Sequence, residues 1–159
     1  MLIVRHRLGH VMANAGIDRS NVPCTGADET VLLLPLDPDR SARALRDAIA
    51  ARCGARPGVL ISDSFGRPWR NGVVNVALGA AGIPSLVDRR GETDRTGRRL
   101  EVTQIAIADA ICAAAGLVMG EGAEGTPVVV VTGLAGRYPD APQRDCGTLI
   151  RPPEEDLFQ

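Results

Sequence analysis

Three short apolar runs, VLLLPL at 31–36, GVLIS at 58–62 and PVVVVTGL at 127–134, are separated by two stretches with apolar residues at helical spacing. Short apolar runs bounded by turn formers read as buried strands. None approaches the roughly 20 residues that a membrane helix needs, so no membrane association is expected. Strand and helix patterns that alternate along a chain specify helices layered against a sheet. The expected fold is α/β in the broad sense, a mixed α+β layered domain. At 159 residues, the chain reads as one domain over 1–159.

The local signals are uneven. LIVRH at 2–6 reads as a strand, and 13–26 as a loop of turn formers. Asp37 is an N-cap followed by Pro38 at the first helical position. Ala42, Leu45, Ala48, Ile49 and Cys53 then share one helical face, and Gly54 ends the helix. VVNVALGAAGIPSLVD at 73–88 reads as a strand, a turn and another extended segment. The charged, glycine-punctuated stretch 88–99 reads as a solvated loop. The spacing of Ile105, Ala108, Cys112 and Ala115 predicts a helix over 101–118, with Cys112 in the core. PVVVVTGL reads as a central strand, and the tail from Ala135 shows no periodicity.

With 18 basic and 19 acidic side chains the net charge is −1, which excludes the basic excess of a general nucleic-acid binder. Every basic residue is arginine. Lysine-based covalent chemistry is therefore absent, and any cationic contact to a phosphate or carboxylate is a planar guanidinium. Cys24, Cys53, Cys112 and Cys146 are far apart, and MLIVRHRLGH lacks the apolar core of a secretory signal. The thiols therefore read as reduced and the protein as cytoplasmic. His6 and His10 are too few for a multi-histidine zinc site, and His10 reads as a structural or surface histidine.

Three clusters carry polar chemistry. In ANAGIDRSNV at 13–22, Asp18 offers a hard oxygen to Mg²⁺ or Mn²⁺ and Asn21 a carboxamide to a phosphate or sugar. An ordinary Asx turn accounts for the same residues. In ISDSFGRPWRNG at 61–72 an apolar strand runs into Asp63 and Ser64, suited to a metal, and then Arg67 and Arg70, suited to anions. The alternative is a loop anchored by Trp69 with its arginines paired to surface acids. In Gly120-Glu121-Gly122-Ala123-Glu124-Gly125, bare backbone can approach phosphates, although it is no P-loop and a flexible turn serves equally well.

Together with VALGAAGI at 76–83, the stretch Asp88 to Leu100, LVMGEG at 117–122 and IRPPEEDLF at 150–158, these motifs resemble the coenzyme F420-0:L-glutamate ligase family over nearly the whole chain. The resemblance implies a ligase that uses GTP as co-substrate and two divalent ions, Mg²⁺ or Mn²⁺, with K⁺ as a further cation. It would join L-glutamate to the lactyl carboxylate of coenzyme F420-0 through an acyl phosphate, then add γ-linked glutamate. A homodimer is implied as well. Asp18 and Asp63 match metal-binding carboxylates, and Ser64 a hydroxyl ligand. Asn21 matches a GTP contact. Leu117, Val118, Met119, Gly120, Glu121, Gly122, Ala123 and Glu124 match the nucleotide loop, with Glu121 as a second-metal ligand. Arg67 and Arg70 lie in the most recognisable motif, and their catalytic role as anion contacts follows from charge and position.

One departure stands beside these matches. Family members carry a sizeable segment before the ANAG motif, including a lysine that contacts nucleotide, and this chain opens just upstream of it. Nor does it carry the nitroreductase-like C-terminal domain of some homologues. The expectation is a single ligase domain, short at its N-terminus. The competing expectations are a non-catalytic or partner-dependent remnant and a paralogue acting on another carboxylate.

Overall fold

The computed structural model describes residues 2–23, 30–134 and 136–156. Its centre is a long antiparallel hairpin of β3, Val59–Arg67, and β4, Arg70–Ala81, preceded in the chain by a small hairpin of β1, Ile3–Arg5, and β2, Val11–Ala13. A third antiparallel pair joins β5, Val87–Asp88, to β6, Gln104–Ile105. Helix α1, Pro38–Cys53, and helix α2, Ile107–Met119, both pack on β4. The expected mixed α+β class is what the chain adopts, and every strand pairing among the described residues is antiparallel.

Both helices do more than cover the sheet. The Asp39 carboxylate accepts from the backbone N–H of Ala80 at 2.8 Å and of Cys146 at 3.0 Å, and Asp109 accepts from Ala77 N–H at 2.9 Å. Side chains of α1 and α2 thus satisfy amides of β4 that a third strand would otherwise take. The approach is close. A Cβ at Gly79 would collide with the Pro38 backbone, and one at Gly116 would meet the Asn75 carboxamide oxygen at 2.7 Å. The core between them is built of small groups, Ala77, Ala80, Ala108, Cys112 and Cys146, with Leu60, Ile83 and Leu149 against it. Cys112 is therefore core, as its helical stripe predicts. Burial pushes the thiols of Cys112 and Cys146 up to about 12, whereas Cys53 is exposed. Cys24 lies outside the described residues.

The caps of α1 match the sequence: the Asp37 carboxylate accepts from Arg40 N–H at 2.8 Å, and Gly54 closes the helix at φ 72°. Its buried face does not. Ala42 is fully buried, but Leu45 is 52% exposed and Ala48, Ile49 and Cys53 face outward. The covered stripe runs through Pro38, Ala42, Arg46 and Ala50 instead. Arg46 lies over Gly82 and donates to the Pro57 carbonyl at 3.1 Å, so a guanidinium stem does the packing expected of leucine.

Two larger corrections concern strands. VLLLPL at 31–36 is not a buried strand: Leu32 forms one isolated bridge to Asp18, and Leu33 and Leu36 are 71% and 83% exposed. PVVVVTGL at 127–134 joins no strand pairing among the described residues, and Val128 and Val130 are exposed. An apolar run becomes a central strand only where neighbours cover both faces, and the exposure of Leu33, Leu36, Val128 and Val130 shows that these two runs are not so covered among the described residues. Helix α2 begins at Ile107 rather than 101, because Gln104–Ile105 is drawn into pairing with Val87–Asp88. The stretch 88–99 is the solvated loop expected, with two Asx turns at Asp88 and Asp94.

Candidate active site

A cleft of about 1260 Å³ opens between the segment after β2, the far half of the β3–β4 hairpin and the turn after α2. Each wall carries one of the three polar clusters. Beyond β2 a single 3₁₀ turn, Asn14–Gly16, leads to Asp18, whose backbone makes both bonds of an antiparallel bridge to Leu32, at 2.8 and 3.1 Å. The Asp18 carboxylate accepts from Ser20 N–H at 2.8 Å, and this bond holds it below the usual carboxylate range. The chain then turns at Asn21, which adopts φ 55°, a left-handed conformation asparagine tolerates.

Asp63 lies on β3 opposite Val76 of β4, just past a register shift between Ile61 and Ser62. The expectation that 63–70 forms a loop beyond the strand is overturned: β3 continues through the motif to Arg67, and only Pro68 and Trp69 make the turn. Half-burial pushes the Asp63 carboxyl up, and the negative charges of Asp18 and Glu121 push the same way, against a 2.8 Å bond accepted from Ser64 N–H. Three carboxylates from three separate segments therefore act on one region of the cleft.

The third wall follows α2. Gly120 leaves the helix at φ 74°, and the Asn21 carboxamide donates to the Gly122 carbonyl at 3.0 Å, tying the first wall to the third. Met119, Gly120, Glu121, Gly122 and Ala123 line the cleft. Leu117 and Val118 sit exposed on the last turn of α2, outside that lining. Glu124 folds back so that its carboxylate accepts from Gly122 N–H at 2.8 Å, holding an amide that an incoming phosphate would otherwise use. At the hairpin end of the cleft stand Arg67 and Arg70. Asn14 and Ser62, which stand in the first two sequence clusters without an assigned role, also line the cleft; an asparagine at φ 50° is visible only in the fold. His10 is outside the cleft, edge-on to Phe65 with ring centroids 5.5 Å apart. Burial, then His6, hold its imidazole below the ordinary histidine range.

The acidic end suits a hard divalent cation in composition. Among the described residues no three carboxylates, imidazoles or thiols converge to grip one ion. One or two of these carboxylates could contribute to the shell of Mg²⁺ or Mn²⁺ if other oxygens completed it.

A mixed α+β domain whose cleft is lined by carboxylates, a carboxamide and glycine backbone is the class that this fold and site define, and comparison with known proteins narrows it. The family model for F420-0:gamma-glutamyl ligase matches residues 1–133, and the chain belongs to that family. It is 46% identical over 160 residues to the coenzyme F420:L-glutamate ligase of Methanopyrus kandleri, covering 99% of this chain and 62% of that protein. Its identity to the enzyme of the same name from Archaeoglobus fulgidus is 49% over 158 residues, and to that from Methanocaldococcus jannaschii 44% over 158, each covering 99% of this chain and 60% of the relative. The chain thus spans about three fifths of the length of the curated relatives it matches. No helix among the described residues is long and apolar enough to cross a membrane.

Proposed function

We propose that this chain carries the site of a GTP- and divalent-metal-dependent ligase that joins L-glutamate to coenzyme F420-0 and then adds γ-linked glutamate. The observation that carries this reading is the Asn21–Gly122 bond beside Asp18, Asp63 and Glu121, which sets a glycine-rich backbone against a carboxylate wall in one cleft. Asn21 and the 119–123 backbone would hold the nucleotide. Asp18, Asp63 with Ser64, and Glu121 would hold two ions, Mg²⁺ or Mn²⁺, with K⁺ as a further counter-charge. When bound, such ions neutralise phosphate charge and polarise the transferred phosphoryl group.

The chemistry follows from what each group can position. The lactyl carboxylate of F420-0 attacks the γ-phosphorus of GTP, the bond to the β-phosphate oxygen breaks, and GDP leaves with an acyl phosphate formed. The glutamate amine attacks the acyl carbon, loses a proton, and inorganic phosphate departs with the C–O bonding pair. The chain's own contribution is placement: Asn21 orients, the glycine backbone allows close approach, and half-buried Asp63 presents its carboxyl group where water is scarce. Two buried, unpaired thiols accord with a cytoplasmic protein. We infer a homodimer, to which the uncovered apolar segments 31–36 and 127–134 lend surface.

Incubation with F420-0, L-glutamate, GTP and Mn²⁺ tests the reading. A product heavier by one glutamyl residue, formed with stoichiometric GDP, is expected; no amide product with any metal would overturn it.

A further inference from the structure

Three unfavourable features meet at the tip of the β3–β4 hairpin. Arg67 and Arg70 pair directly across the strands, where like charges repel. Trp69 between them takes φ 63°, a conformation costly for a bulky side chain. The Nη1 of Arg67 is buried with no hydrogen-bond partner among the described residues. Neither Arg67 nor Arg70 belongs to an ion pair among the described residues, while arginines elsewhere, at 43, 89 and 90, do. A buried guanidinium N–H without an acceptor is expensive in a folded protein and calls for an explanation. The register shift between Gly66 and Arg67 is a further local irregularity, of a kind that re-aims a side chain beside a functional site.

We propose that Arg67, with Arg70 beside it, is the subsite that receives a carboxylate of the incoming L-glutamate. The proposal rests on the ligase reading above and deepens it. An anion beside the two arginines offsets the repulsion of the cross-strand pair, and it supplies the acceptor for Nη1 once the Arg67 guanidinium turns that buried atom towards the cleft. Its location separates it from the nucleotide. Arg67 is four residues beyond Asp63, roughly 13 Å along an extended strand, and Asp63 with Asp18 and Glu121 marks the end where phosphates and cations belong. Two adjacent guanidinium forks also suit a dicarboxylate, since each can pair a carboxylate through parallel N–H bonds. Arg67 is thereby a specificity-determining residue for the amino-acid substrate.

The test reads binding separately from turnover. In ¹⁵N-arginine-labelled protein, the Arg67 Nε–Hε resonance is assigned by its loss in Arg67→Lys. L-glutamate is then titrated with and without saturating GTP and Mn²⁺. The expected result is a saturable shift of that resonance with L-glutamate, and no shift with GTP or inorganic phosphate alone. In turnover, Arg67→Lys raises the KM for glutamate at least tenfold and leaves the KM for GTP within about twofold. A resonance that follows GTP, phosphate or F420-0 instead of L-glutamate overturns the proposal, as does one that follows nothing. Failure of the ligase reading is distinguishable, because the parent protein then yields no amide whatever the resonance does.

Discussion

The carboxamide of Asn21 donates to the carbonyl of Gly122 across 101 residues of sequence, a bond that ties the first wall of the cleft to its glycine-rich third wall. Asn21 also occupies a left-handed conformation, so its backbone and its side chain make separable contributions. Asn21→Gly keeps the conformation and removes the tether. We expect GTP affinity to fall about tenfold, equivalent to about 1.4 kcal/mol, with the thermal midpoint nearly unchanged. Nucleotide titration calorimetry beside a melting curve measures both.

Asp63 is held in its place at a cost. A carboxyl whose folded pKa is raised binds protons more readily in the native state than in the unfolded chain. Its contribution to stability is therefore favourable at low pH and is lost as pH rises from the ordinary carboxylate value near 4 towards the raised one. In metal-free buffer at pH 7, Asp63→Asn is expected to melt at or above the parent temperature. Its turnover at saturating Mn²⁺ is expected to fall by at least about a hundredfold. Added Mn²⁺ should raise the parent's midpoint more than the variant's, and equal shifts would remove Asp63 from the ion's shell.

Gly79 and Gly54 make a contrast in what a single methyl group does. At Gly79 a Cβ would run into the Pro38 backbone, which cannot step aside without moving α1 off β4. Gly79→Ala should abolish folding or cost several kcal/mol, as overpacking against backbone does. Gly54 has open space around it and only its φ of 72° to satisfy. Gly54→Ala should cost about 1 kcal/mol, read by chemical denaturation.

Trp69 is 89% exposed at φ 63°. Asparagine adopts that conformation more readily, and little buried area is lost in the exchange. Trp69→Asn should raise the thermal midpoint by about 2–4 °C, the equivalent of about 1 kcal/mol for a chain of this size.

The thiols of Cys112 and Cys146, pushed up to about 12 by burial, should resist alkylation at pH 8 in the native protein, while exposed Cys53 reacts. Peptide mapping after iodoacetamide treatment distinguishes the three, and labelling of all three at equal rates would contradict the packing of α2 against β4.

Legibility followed the range of the interaction. The caps of α1, the solvated loop of 88–99 and the core position of Cys112 depend on neighbours within a few residues or on one helical period, and each was readable. The three polar clusters were readable as chemistry, because carboxylates, carboxamides and glycines at those spacings limit what they can bind. Their meeting in one cleft was not, since Asn21, Asp63 and Gly122 lie on segments that only the packing of α2 and the hairpin brings together. The exposed 31–36 and 127–134 segments fail for the same reason. Apolar character states that a segment seeks cover, and says nothing of whether cover is present.

By itself, then, the sequence determined the family, the mixed α+β class, the arginine-only cationic chemistry and the polar residue types available to the cleft. The tertiary structure alone decided that Arg46 rather than Leu45 packs α1, that the second motif is a continuous hairpin rather than a loop, and that Nη1 of Arg67 has no acceptor among the described residues. Those outcomes turn on which surfaces meet across long sequence separations. Burial, repulsion and an unmade hydrogen bond exist only between groups that folding has brought into reach.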